Sequence, residues 1–163
     1  MSFHRTIFFT TAIILMAFSP ISVGESEELK GQFERVVEEL NQRDLEGFLS
    51  HWHREAVFYL GDYMFPVDLT EMDPADWAQI WKDFFAATRE ITFTPVDLEY
   101  RVLDNIGMVW GLGQLLVDPL QGPSFSRNVR LTVTLSQGKG GWKIINWHSS
   151  PAPENNPREP RKE

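Results

Sequence analysis

The 163-residue chain contains no cysteine, which excludes disulfide frameworks, thiolate zinc sites, a cysteine nucleophile and a lipidated lipoprotein cysteine. Positive charge is scarce as well. Fifteen Lys and Arg stand against 23 Asp and Glu, a formal net charge of −8, so clustered bases for a nucleic-acid partner are missing. There is no internal repeat, and an apolar content of 42% is too high for a wholly disordered chain. One small domain remains.

Large rings are what the chain has in plenty: six Trp, three Tyr and twelve Phe. They either fill an ordinary core or, in part, line a cavity for an apolar or ring-shaped ligand.

Both ends read as lying outside the domain. Arg5 precedes an uncharged stretch from Thr6 to Gly24 whose apolar segment, Ile7 to Phe18, is short for a membrane span. Pro20 breaks it, and Ser22 and Gly24 occupy the minus-three and minus-one positions of a cut before Glu25. Residues 1–24 therefore read as a secretory signal peptide, with an uncleaved anchor as the competing reading. The expected location is periplasmic or secreted, without stable membrane insertion after cleavage. Removing Arg5 with the signal leaves 14 basic and 23 acidic side chains. From Pro151 to Glu163 four prolines and only Ala152 as an apolar residue predict a disordered C-terminal tail. The domain is 25–150, 126 residues, enough for its own core.

Within it the hydrophobic period changes once. Leu29, Phe33, Val36, Val37 and Leu40 predict a helix from about Ser26, a plausible cap, to Gln42. Asp44 caps a shorter helix burying Leu45, Phe48, Leu49 and Trp52, and Ala56 to Leu60 reads as a strand closed by Gly61-Asp62. Asp73-Pro74 starts a third helix with the stripe Trp77, Ile80, Trp81, Phe84 and Phe85. After Arg89 the pattern alternates: Val96, Leu98, Tyr100 and Val102; an Asp104-Asn105 hairpin turn; Ile106 to Val117, where Gly111 and Gly113 suggest a bend or bulge; Phe125 to Leu135; and Trp142 to Ser149. The fold class is α+β, helices on one face of a bent antiparallel sheet.

This order and the ending Gly141-Trp142-Lys143-Ile144-Ile145-Asn146-Trp147-His148-Ser149-Ser150 resemble SnoaL-like members of the nuclear transport factor 2-like superfamily. Arg130-Leu131-Thr132 in the preceding strand and Glu55-Ala56-Val57-Phe58 in the first strand match the same pattern, so the resemblance spans nearly all of 25–150. It implies a cone-shaped α+β barrel, a curved sheet wrapped on the helices around a pocket, commonly in a homodimer built on the sheet's outer face. Catalytic members usually work by metal-free acid–base chemistry, as isomerases, cyclases or dehydratases, without a cofactor. Others are non-catalytic interaction or scaffold modules.

The candidate site residues follow. A ketosteroid-isomerase-like mechanism needs a carboxylate base and a phenol or protonated acid as oxyanion donor; the resemblance places the base in the first strand and the donor tyrosine in the first helix, but the strand has no carboxylate before Asp62 and the helix has Phe33 and no Tyr. His148 shares the parity of Trp142, Ile144 and Asn146, which predicts an inward imidazole as catalytic acid or base, with a structural histidine as the alternative. Asn146 would point inward beside it. Arg130 is a candidate for a ligand carboxylate, since the resembling family sometimes uses an arginine of this strand so. Its parity with Thr132 and Thr134 points it outward unless a bulge intervenes. Tyr59, Trp81, Phe85 and Trp110 are the expected pocket walls. His51 and His53 are expected to be exposed; at a helix end their spacing separates the rings by about 200°, and no metal site is expected. The expected partner is a small apolar or aromatic molecule.

Overall fold

The computed structural model describes residues 23–60 and 67–152, so most of the signal-like segment (1–22), the Gly61-Asp62 closure (in 61–66) and most of the proline-rich tail (153–163) lie outside the described residues. Helix α1 (Val23–Gln42) starts ahead of Ser26, which sits inside it and does not cap it. The nearest helix breaker upstream is Pro20. Helix α2 (Leu45–Ser50) begins where the Asp44 carboxylate accepts from Gly47 N–H at 3.1 Å. Strand β1 (Trp52–Leu60) follows, then a short β2 (Val67–Asp68), a 3-10 turn at Leu69–Glu71 and helix α3 (Pro74–Ala86). Asp73 caps α3 by accepting from Ala75 N–H at 2.8 Å, with Pro74 in the first turn, where a missing N–H costs nothing. Four long strands complete the chain: β3 (Thr88–Leu103), β4 (Ile106–Pro119), β5 (Phe125–Gly138) and β6 (Gly141–Pro151). None of the described helices is long and apolar enough to cross a membrane.

The strands form one six-stranded sheet in the order β2-β1-β6-β5-β4-β3. It is antiparallel except that β1 runs parallel beside β6. β6 continues through Pro151, and Ala152 N–H donates to Asn128 O at 2.8 Å. One face carries the core, where Leu29, Phe33 and Val36 of α1 are fully buried with Val109, Val133, Leu135 and Ile144 of the strands. At 25 cal/mol per Å2, each such side chain contributes about 1.5–3 kcal/mol relative to exposure, and with no cysteine that packing carries the fold.

Two of the sheet's register irregularities alter the faces that simple alternation predicts. The first lies between Pro95 and Asp97 of β3, where Val96 has no partner on β4 and is 66% exposed. The glycines of β4 make room for it. A Cβ at Gly111, whose φ is +145°, would stand 1.9 Å from Asp97 O, and one at Gly113 would stand 2.4 Å from two carbons of the Phe93 ring. The bend expected around these glycines is present, but the extra residue belongs to the neighbouring strand, which turns Val96 out of the predicted apolar face.

The second irregularity is in β6. Thr134 faces Asn146 and the next residue, Leu135, faces Ile144, so Ile145 is an extra residue. Such a bulge exchanges the two faces of a strand beyond it. Trp142 and Ile144 are buried before it; Trp147, not Asn146 or His148, is buried after it.

Candidate functional site

Helix α3 brings its aromatic stripe against Phe48 of α2 and against Trp52 and Phe58 of β1. Trp77 and Trp81 are one turn apart on the buried side, and Phe58 of β1 packs between them with ring centroids 5.5 and 5.8 Å away. Phe48 of α2 closes on Trp81 at 4.6 Å, and Trp52 on Trp77 at 5.3 Å, all edge to face, the arrangement that aromatic quadrupoles favour. The indole N–H groups of Trp52, Trp77 and Trp81 are buried without a hydrogen-bond acceptor among the described residues.

These rings do not fill the space under α3. A cavity of about 500 Å3 remains, lined by Trp77 and Trp81 of α3, Phe58 of β1, Trp147 of β6, and Val129 and Leu131 of β5. Its rim is apolar and exposed: Ile80 and Phe84 of α3 and Phe125 of β5 have 49%, 36% and 40% of their surfaces in solvent. Among the described lining residues the only ionisable side chain is Arg127, joined by Ser149, which stands opposite Leu131 on the inner face. Arg127 faces Leu115 across the β4–β5 ladder and shares its face with Val129 and Leu131, so its stem enters from the sheet side. Its guanidinium carbon lies 4.8 Å from the Phe125 ring centroid, a cation–π contact.

The residues singled out in the sequence divide between the two faces. Trp81 lines the cavity. Phe85 is buried against Phe48 and Trp81 and does not reach the cavity wall. Tyr59 and His148 face each other across the β1–β6 ladder on the outer side of the sheet, ring centroids 5.8 Å apart. The inward orientation expected for His148 and Asn146 is therefore corrected, because the bulge at Ile145 reverses the parity on which it rested. Trp110 is half-buried on the outer face, paired with Thr132 and lying beneath the Arg101 guanidinium at 5.5 Å. Arg130 is exposed on that face opposite Leu112, as its alternation with Thr132 and Thr134 predicts. Asp62 lies outside the described residues.

The sequence reading passed over Arg127, although the signal was present. Arg127 has the parity of Val129, Leu131 and Val133, and that apolar alternation, extended two residues toward the start of β5, places it on the inner face. Ser149 was also missed, for the reason that misplaced His148.

His51 is not exposed, contrary to expectation, but 7% exposed in a polar clamp. Gln32 and Glu39 lie two turns apart on one side of α1. The Gln32 amide donates to Nδ1 at 2.7 Å, and Nε2–H donates to Glu39 at 2.5 Å. With both ring nitrogens paired, burial is tolerable. Burial lowers its pKa, opposed by the Glu39 carboxylate and assisted by Lys143 and Arg35. The His51 carbonyl accepts from Ile144 N–H at 2.8 Å, so the clamp ties α1 to the β1–β6 junction and stands apart from the cavity. His53 accepts at Nδ1 from Glu55 N–H, at 3.1 Å. No group of three or more His, Asp or Glu among the described residues is arranged to hold a metal ion.

Comparison with known proteins agrees with this architecture. A search of curated proteins found no match. A candidate dehydratase of the NTF2-like family from Streptomyces avermitilis superposes with a TM-score of 0.68 at 17% identity, over 80% of this chain and 97% of that one. An NTF2-like protein of unknown function from Pseudomonas putida gives 0.66 at 18% identity, over 83% and 91%. A candidate scytalone dehydratase from Novosphingobium aromaticivorans gives 0.68 at 8% identity, over 80% and 85%. At such identities the likeness is one of fold. The SnoaL-like domain family matches residues 30–154, and with the helices, sheet and cavity described above this chain belongs to that family, on the NTF2-like fold.

Proposed function

We propose that this protein is a pocket protein that takes up a small apolar or aromatic molecule between α3 and the sheet. The observation that carries this is the cavity of about 500 Å3, walled by Trp77, Trp81, Phe58 and Trp147 and open through an apolar rim. That volume suits a drug-sized or smaller ligand, and an apolar wall with few polar groups is the usual composition of such sites. The reading is one of binding, since the acid–base residue named from the sequence, His148, stands on the opposite face of the sheet. The leader-like composition of residues 1–24 supports export to the periplasm or the medium.

Three tryptophans line the cavity, so tryptophan fluorescence reports occupancy. Titration with 1-naphthol should give a saturable change, weakened in Leu131→Phe, which narrows the cavity. A linear, unsaturable response in the folded wild type would end the pocket reading.

A second reading, a homodimer, is favoured by a specific feature of the outer face. Met108, Trp110, Leu112 and Leu116 project there from β4 as a row of half-buried apolar side chains. Polar neighbours on β3 and β5, such as Glu99 and Thr132, leave the row only partly covered.

A further inference from the structure

His51 is the only buried ionisable side chain among the described residues, and it stands between two rings of the aromatic cluster. Phe48, before it in α2, lines the cavity and closes on Trp81; Trp52, next after it, packs on Trp77 and, at 6.0 Å, on Trp147. The His51 N–H donates to Phe48 O at 3.3 Å, so its backbone is tied to the last turn of α2 while its ring is tied to α1. The imidazole lies outside the cavity. What it fixes is the place of Phe48 in the wall relative to Leu40, a second wall residue, which follows Glu39 on α1.

The clamp suits a neutral ring. Glu39 accepts from Nε2–H and the Gln32 amide donates to Nδ1, while the Gln32 side-chain oxygen accepts from Arg35. A proton on Nδ1 would face that amide donor against donor. Turning the amide over would present its oxygen to Nδ1 but its N–H groups to the Arg35 guanidinium, so the conflict would move and not vanish. The charged groups around the ring are Arg35 and Glu39 of α1, Lys143 of β6, whose ammonium donates to Ser50 O, and Asp44 of the α2 cap, which meets Glu39 across Gly47. Burial, with Lys143 and Arg35, outweighs the Glu39 carboxylate, and the clamped ring holds a proton less readily than one in water.

Resting on the pocket reading above, we infer that the cavity is gated by acid: protonation of His51 frees α2 from α1, withdraws Phe48 from the cavity wall and weakens the hold on the ligand. A ring freed from the clamp titrates near 6.5 and the clamped ring lower, so the open form gains as the pH falls through 6.5. Above that value the wall is complete. Affinity falls in proportion to the fraction of molecules left closed, so a protein about two-thirds open binds about threefold more weakly. Ligand selects the closed, neutral form and thereby expels the proton from molecules that carry it.

Isothermal titration calorimetry of the full chain with 1-naphthol tests this, because a phenol stays neutral over the range and only the protein titrates. The wild type should bind about threefold or more weakly at pH 5.5 than at pH 7.5, and at pH 6 two buffers of different ionisation enthalpy should reveal proton release on binding. His51→Gln takes up no proton; it should bind within about twofold at the two pH values and release none, while His53 and His148 still titrate in it. Gln32→Glu gives Nδ1–H an acceptor, holds the clamp shut on the charged ring and should also remove the loss in acid, so it serves if His51→Gln does not fold. Circular dichroism at pH 5.5 should show the wild type folded; unfolding there overturns the gate, since the loss of affinity would then be global. Equal wild-type affinity at the two pH values, or a pH dependence that persists in either variant, overturns the gate and leaves the pocket reading standing. No binding at any pH overturns both.

Discussion

Tyr59 meets His148 edge to face, ring centroids 5.8 Å apart, on the side of the sheet away from the cavity. This pair exists because Ile145 is an extra residue in β6 that moves Trp147 into the core and His148 out of it. Replacing His148 by Ala should therefore change stability by less than about 1 kcal/mol and ligand affinity by less than about twofold. Trp147→Ala should cost about 3–5 kcal/mol and abolish binding, since its ring belongs to both core and cavity wall. Urea unfolding and calorimetry on the two variants check this; a large loss of binding in His148→Ala would restore that residue to the site.

The His51 clamp predicts a pH dependence with a definite sign. Burial lowers the folded-state pKa of His51 below its ordinary value of 6.5, so the unfolded chain takes up the proton more readily. The contribution of the neutral, clamped imidazole is intact above pH 6.5 and is lost as the pH falls through that value toward the lower folded one. The groups facing the ring are Glu39 and Gln32, with Lys143 and Arg35 adding positive charge nearby. Urea midpoints measured from pH 7.5 down to 5.5 should fall in the wild type, and His51→Gln should flatten that slope.

Glycines of β4 differ in what they tolerate. Gly111→Ala would set a Cβ 1.9 Å from Asp97 O at a φ of +145°, and Gly113→Ala would press on the Phe93 ring. Each should cost at least about 1–3 kcal/mol, the usual range for overpacking, with Gly111 the worse because backbone moves less easily than a ring. Gly138→Ala, with nothing within 4 Å, should change stability by no more than about 0.5 kcal/mol. Thermal melts rank the three variants, and equal melting temperatures would contradict the close approach of β3 to β4.

The outer apolar row predicts self-association. Sedimentation velocity across the micromolar range should show a dimer, and Leu112→Glu, in the middle of the row opposite Arg130, should shift it to monomer without loss of fold. A wild type that sediments as a monomer throughout would rule out this face as a dimer interface.

Most elements were legible from local patterns. The Asp44 and Asp73 caps, the Asp104-Asn105 turn and the aromatic stripe of α3 depend on residues close in sequence, and each lies where its chemistry puts it. Legibility ended where one strand's direction depends on another. Arg127 and Arg130 sit three apart on one strand and face opposite ways, which parity alone resolves; His148 could not be placed by parity, because no residue in β6 marks Ile145 as the bulge. That residue is extra only in register with Thr134 and Leu135 on the neighbouring strand.

The sequence by itself determined an α+β chain without cysteine, rich in rings, whose local signals define its helices, its turns and most of its strands. Tertiary structure alone decided that β1 lies parallel beside β6, that the rings of α3 stop short of filling the space beneath them, and that Arg127 rather than His148 looks into it. Helix and turn formation are local equilibria of backbone and near neighbours. Register, bulges and cavities are settled only when distant strands pack against one another, and there a shift of one residue exchanges the faces of a strand.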